Sequence, residues 1–200
     1  MKKKNKNLGN AIQKVKIKME STQKPILVAL DGRSGTGKTT IAKEISKELV
    51  GVVIASDDFW VGGSDDIWFN LKPKERADKA IDWKRLRSDV LDPLLRGEHA
   101  VWHPFDWKRG SGLAEENIKC PAAKLIILDG AYSSRPELRD IIDISILVKI
   151  PDDSDRRVRL IKREGEEYMK NWHEIWDSAE DYYFTNVRPE ESFDLIIENE

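Results

Sequence analysis

Two hundred residues, 35% charged and 40% hydrophobic with a net charge of −2, suit one soluble domain large enough for a central sheet covered on both faces. No apolar run approaches the ~20 residues a bilayer-spanning helix needs, and the basic N-terminus lacks the apolar stretch of a secretory signal. A single cysteine, Cys120, and three scattered histidines leave no internal disulfide and no metal cluster to expect, so the cytoplasm is the expected compartment.

Taken in chain order, residues 1–24 come first, with eight lysines against one glutamate; they carry +7 and leave −9 on the remainder. Such a tail reads either as a contact for nucleic acid or an acidic membrane, or as a solvated, partly helical extension with Ile12, Val15 and Met19 against the body. The acidic body favours the second reading and speaks against nucleic acid as a partner. Residues 25–200 are expected to form one domain. ILVAL (26–30) reads as a buried strand, and TTIAKEISKEL places Ile41, Ile45 and Leu49 at helical spacing. VVIAS (52–56) is the second strand. IDWKRLRSDVLDPLLRG puts Leu86, Val90 and Leu94 on one helical face, with Gly97 as its stop. KLIILDG (124–130) and ISILVKI (144–150) are two more strands, with a short helix expected over RPELRDII between them. DDSDRRVRLIKRE and NWHEIWDSAEDYYFTNV read as helices, and DLIIEN as the last strand. The alternation predicts an α/β fold with a parallel five-stranded sheet and helices on both faces. Residues 59–79 and 103–123 are expected to be irregular. The aromatic helix over 171–187 is as compatible with a second subunit of a homo-oligomer as with the core.

GRSGTGKT fits G-x-x-x-x-G-K-[ST] between a strand and a helix. In such a loop glycines let backbone N–H groups turn inward around an oxyanion, and the next helix adds the positive end of its dipole. Gly32, Arg33, Ser34, Gly35, Thr36, Gly37, Lys38, Thr39 and Thr40 are therefore the expected nucleotide cradle, with Lys38 reaching the terminal phosphates and Thr39 a Mg²⁺ ion. Asp129 follows the strand LIIL and reads as a second Mg²⁺ contact, or as an ordinary turn residue. ASDDFW (55–60) emerges at the same sheet edge. One of its adjacent acids could take the proton of an acceptor hydroxyl, or the pair could cap a turn.

Together, GRSGTGKT, SDDFW, AIDWKRLRSDVLDPLLRG, PFDW and the arginine-rich helix resemble the uridine kinase family of small P-loop kinases, a group related to phosphoribulokinases, pantothenate kinases and nicotinamide riboside kinases. The resemblance runs from about residue 25 to the end. It implies a P-loop NTPase fold of the nucleoside-kinase type with a short lid, ATP and Mg²⁺ as cofactors, and a nucleoside-like acceptor. It assigns the base to Asp57, with Asp58 as the alternative, and the acid that serves Mg²⁺, usually Glu in the family, to Asp129. Arg156, Arg159 and Arg163 share a helical face. Arg159 and Arg163 are the expected lid arginines, catalytic together with Lys38, whereas Arg156 and Arg157 read more readily as a solvated face paired with Asp152, Asp153 and Asp155.

For the acceptor the resemblance points to Asp58, Phe59, Trp60, Phe105, Asp106 and Trp107. Aromatic faces there could sandwich a planar base while a carboxylate accepts from a hydroxyl or amine. Trp83, Trp102, Trp172 and Trp176 read equally well as core. The family's Asp-His-Pro stretch before the segment matching AIDW is RADK here, so Arg76 stands in the place of a ribose-holding Asp. REGEEYMKNW also lacks the family's usual arginine-glycine run. A cation at position 76 suits a nucleotide or another acidic metabolite, unless Arg76 points to solvent. An ATPase or nucleotide switch without an acceptor is the alternative of another class, although no water-orienting Gln or Glu stands out for it.

Overall fold

The computed structural model describes residues 7–199. Among them seven strands form: β1 (Ile26–Asp31), β2 (Val52–Ala55), β3 (Ala100–Trp102), β4 (Ile118–Cys120), β5 (Leu125–Asp129), β6 (Ile144–Lys149) and β7 (Leu195–Glu198). Five of them make one sheet in the order β2-β5-β1-β6-β7, every pairing parallel. The near-continuous apolar runs are buried on both faces, as a parallel sheet covered by helices requires.

Side-chain alternation sends Ile26, Val28 and Leu30 to one face, where they meet Ala11 and Val15 of α1 (Leu8–Glu20) and Ile41 and Ile45 of α2 (Lys38–Leu49). Leu27, Ile54, Ile126 and Leu128 go to the other face. Within the lysine-rich tail, α1 therefore sits against the sheet with Val15 fully buried, while Ile12 and Met19 are only partly covered. Lys18 pairs with Asp143 at 3.1 Å.

The second face holds the segments expected to be irregular. Residues 59–79 contain α3 (Asp65–Phe69) and α4 (Pro73–Lys79); Pro73 opens α4 and Glu75 reaches back to the Lys72 N–H, a local start signal. Residues 118–120 pair antiparallel with 100–102 as a hairpin. The helix expected within 81–97 runs continuously over 83–95 but is mixed: α5 (Trp83–Leu86), a π turn (Arg87–Leu91) and α6 (Asp92–Leu95). Pro93 lacks an N–H and crowds the preceding turn, and the wider π turn accommodates it. Leu86, Val90 and Leu94 are fully buried along it. RPELRDII shortens to a single 3-10 turn, Pro136–Leu138, because Leu138 is already buried and the chain must turn into β6.

The last helical region comprises α7 (Asp153–Glu164), α8 (Glu166–Trp172), a π turn (His173–Asp177), α9 (Ser178–Tyr182) and a second π turn (Tyr183–Val187). Its aromatic stripe turns inward: Trp172, Ile175, Ala179 and Tyr183 are buried. No helix among the described residues is long and apolar enough to cross a membrane.

Candidate active site

The carboxyl ends of β1, β2 and β5 lie side by side, Leu30 opposite Asp129 and Ala55 opposite Asp129. This register brings the phosphate loop, the 3-10 turn Ser56–Phe59 and Asp129 to one edge, the position at which open α/β sheets bind ligands.

Residues 32–37 make the loop that leads into α2. A Cβ on Gly32 (φ 146°) would lie 2.2 Å from the Val148 carbonyl oxygen, and one on Gly37 (φ 88°) 2.2 Å from the Asn199 side chain. Only glycine fits either place. The ammonium of Lys38 donates to the carbonyls of Gly32 and Arg33 at 2.8 and 3.0 Å, and the Asn199 amide donates to Thr36 O at 2.6 Å. These carbonyls are thereby occupied within the protein. Thr39 and Thr40 stand exposed on the first turn of α2.

Asp31, Asp129 and Glu180 are buried near the loop. Burial raises the pKa of each, and Lys38 opposes the rise in all three. Asp31 is spoken for by the N–H groups of Gly32, Tyr132 and Ser134 and by the Tyr183 hydroxyl at 3.0 Å. Asp129 differs. Thr39 hydrogen-bonds its carboxylate, yet its Oδ1 is buried without a partner. An orphaned carboxylate oxygen beside a helix-start hydroxyl fits a hard cation such as Mg²⁺. No cluster of three potential ligands forms among the described residues, so phosphate and water oxygens would complete that coordination.

Asp57 and Asp58 take opposite directions. Asp57 is exposed, its carboxylate hydrogen-bonded by no described residue although its carbonyl accepts from the Trp60 N–H, and it is close enough to raise the pKa of Asp129. Asp58 is half-buried; its Oδ2 accepts from the Trp102 indole at 3.0 Å, so it anchors the β3–β4 hairpin to this turn. Burial raises its pKa, the Trp102 bond opposes that rise and Asp57 adds to it.

Several expected acceptor residues belong instead to the scaffold. Phe59 is fully buried, packed on Trp102 and under the Arg85 guanidinium at 4.3 Å; the backbone following β2 turns this side chain inward. Asp106 caps its own turn, accepting from the N–H groups of Lys108 and Arg109. Arg76 is a clamp rather than an acceptor contact. Its guanidinium donates to the carbonyls of Trp68, Phe69, Ile175 and Glu174 and to the Ser178 hydroxyl. It thereby ties α3 to the helical region opposite, and none of its charge faces open space. Trp60 remains half-buried at the centre of an aromatic group, with ring centroids 5.0 Å from Trp68, 5.2 Å from Trp176 and 6.3 Å from Trp107. Trp107, 61% exposed, packs edge-on against the buried Phe105.

The arginines also separate. Arg156, expected on a solvated face, is 1% exposed. It pairs with Asp153 and Asp177 at 2.6 and 2.8 Å and donates to Ser34 O at 3.3 Å. Arg159 is half-buried, its Nη1 3.7 Å from where a Cβ of Gly37 would sit, with no carboxylate partner among the described residues. Arg163 is exposed and paired with its neighbour Glu164.

Sequence reasoning passed over Trp68, Asp177, Glu180 and Asn199. For the two acids a signal existed: with Trp176 and Tyr183 they recur at three- and four-residue spacing along the inward stripe.

The chain is similar to a uridine kinase of Listeria welshimeri, 31% identical over 174 residues covering 84% of this chain and 79% of that protein. A uridine kinase of Ligilactobacillus salivarius is 29% identical over 83% of this chain and 77% of its own length. Uridine-cytidine kinase C of Dictyostelium discoideum is 23% identical over 90% of this chain, which spans only 39% of that longer protein. No family model matches. Among solved structures, one described as a possible uridine kinase from Bacillus stearothermophilus superposes with a TM-score of 0.68 at 19% identity, covering 95% of this chain and 98% of that one. A D-glycerate 3-kinase from Cryptococcus neoformans superposes at 0.57 and 13% identity, with 94% and 88% covered. These structural likenesses establish the P-loop kinase fold.

Proposed function

This chain belongs to the uridine kinase family, and on that premise we propose that it transfers the γ-phosphate of ATP to a hydroxyl of a nucleoside, with Asp57 as the base. The observation that carries the assignment is the contrast among the four acids of the sheet edge. Asp31 is saturated, Asp58 holds the hairpin and Asp129 is buried, whereas Asp57 is exposed and unengaged. A carboxylate so placed can orient the acceptor hydroxyl and take its proton as the oxygen attacks phosphorus.

The loop amides and Lys38 would hold the phosphates. Arg159, unpaired and facing Gly37, would neutralise charge that spreads over the transferring phosphoryl group. Thr39 and Asp129 would hold Mg²⁺, which supplies charge neutralisation between the phosphates. On the acceptor side Trp60 and Trp107 offer the accessible aromatic faces, and the rings behind them fix their positions. With Arg76 committed to backbone carbonyls, the reason to favour an acidic acceptor falls away, which supports an uncharged nucleoside.

The test is ADP formation from Mg²⁺-ATP against a panel of nucleosides, nucleotides and other hydroxylated metabolites. Turnover is expected to require one acceptor, and Asp57→Asn to lower it on the order of 10²–10⁴-fold with ATP affinity retained. ADP release indifferent to every acceptor and to Asp57 would return the protein to an ATPase or switch.

A further inference from the structure

Beneath the phosphate loop, two buried charges grip a single residue of it. The Ser34 N–H donates to Glu180 Oε1 at 2.9 Å. The Ser34 carbonyl accepts from Arg156 Nη1 at 3.3 Å, and the same Nη1 lies 3.6 Å from Glu180 Oε2. Both side chains are 1% exposed. The two peptide groups that flank the Ser34 Cα are thus held from below by one ion pair, contributed by α7 and α9. The neighbouring Arg33 is held from the same helix by Asp181.

Fold stability alone does not require this arrangement, since apolar side chains of similar volume commonly replace a buried ion pair at no cost. Here Asp153, Asp177 and Glu180 converge on one guanidinium. A carboxylate buried beside a loop built for polyphosphate is an unfavourable choice unless the contact with the loop is its purpose. The rest of the loop points the same way. Lys38 and Asn199 bind the carbonyls of Gly32, Arg33 and Thr36, and Arg156 binds that of Ser34. Gly35 fits closely over this support: a Cβ there would lie 3.0 Å from Arg156 Cγ. Glu180 in turn fixes the peptide on the other side of the Ser34 Cα.

We propose that Glu180 is a positioning residue for nucleotide binding, holding the first turn of the phosphate loop, through Ser34, in the shape that accepts phosphate. The inference rests on the kinase reading for the identity of the ligand and extends it to a residue that touches no substrate.

Equilibrium binding of Mg²⁺-ATP, followed by calorimetry on the full chain, tests it without an acceptor. Glu180→Ala is expected to weaken binding at least about 10-fold, the loss of one good hydrogen bond's worth of preorganisation. Glu180→Gln keeps an acceptor for the Ser34 N–H and leaves Arg156 its other two carboxylates, so binding should return to within about 3-fold of wild type. If alanine does not fold, Glu180→Asp serves in its place; it keeps the charge but withdraws the acceptor by about 1.5 Å, and it carries the same expectation. A structural role alone would lower the unfolding temperature and leave the affinity of the folded protein unchanged. Affinity within about 2-fold of wild type in the alanine or aspartate variant overturns the proposal, as does glutamine binding as weakly as alanine. Either result leaves the kinase reading intact. A wild type that ignores Mg²⁺-ATP overturns both.

Discussion

The phosphate side and the acceptor side of this edge use their residues in different ways. On the phosphate side the loop is defined by backbone: glycines at fixed spacing, carbonyls bound by Lys38 and Asn199, and a helix start. The spacing of GRSGTGKT is sufficient to place it. On the proposed acceptor side the candidates are side chains, Trp60 and Trp107 backed by Trp68, Trp176 and Phe105, and neighbours in sequence diverge. Asp57 is exposed while Asp58 binds Trp102; Trp60 is half-buried while Phe59 is core. A motif that works through its backbone transfers from sequence to structure residue by residue, whereas one that works through side chains does not.

Four substitutions press on that contrast. The largest effect is expected on the phosphate side from Gly32→Ala. Its methyl would lie 2.2 Å from the Val148 carbonyl oxygen, a backbone atom that can give way only if β6 moves. Mg²⁺-ATP binding should fall by at least about 100-fold, with a stability loss above roughly 2 kcal/mol; binding within a few-fold would show that the loop tolerates a different path.

Next comes Arg76→Met. It removes the donor from four carbonyls and a hydroxyl and should destabilise by about 3 kcal/mol in chemical denaturation. The nucleoside KM of the folded enzyme should stay within about 3-fold. A normal stability with a large rise in acceptor KM would restore Arg76 to the pocket.

Trp107→Ala should behave in the opposite way. Being 61% exposed, it should cost less than about 1 kcal/mol of stability while raising acceptor KM on the order of 10-fold. An unchanged KM would remove Trp107 from the acceptor surface.

The smallest effect belongs to the charge network under α7. Hydrogen bonds from Arg156, countered by partial burial and aided by Arg157, hold Asp153 at about 2. A lowered folded-state pKa contributes stability that is complete above the unfolded value and lost as pH falls through the folded one. The contribution should therefore fade between about pH 4 and pH 2. With half of its side chain exposed, solvent screening limits it to less than about 1 kcal/mol. Acid titration of unfolding should lose that step in Asp153→Asn; the same acid profile in both proteins would count against the pair.

How much was legible differs from element to element. The five strands of the main sheet stood out because a strand covered on both faces must be apolar at nearly every position, and LVALD and LIILD are. Leu86, Val90 and Leu94 recur at helical spacing, and all three are buried. The π turns did not show, because they depend on how the chain relieves Pro93 and packs its aromatics rather than on any residue pattern. α4 carried a readable start in Lys72-Pro73 and Glu75, yet it was hidden in a stretch otherwise rich in turn residues. The sequence by itself determined the order of strands and helices, the loop between β1 and α2, and the edge at which Asp57 and Asp129 emerge. These follow from periodicity, glycine placement and strand ends, which are local properties of the chain. Only the tertiary structure decided which charges remain available. Arg76 is spent on carbonyls from α3 and the facing π turn, up to 99 residues away, and Arg156 on acids of the last helical region. A buried charge takes whatever partners the folded chain brings within about 3 Å, and no local pattern records which segments those will be.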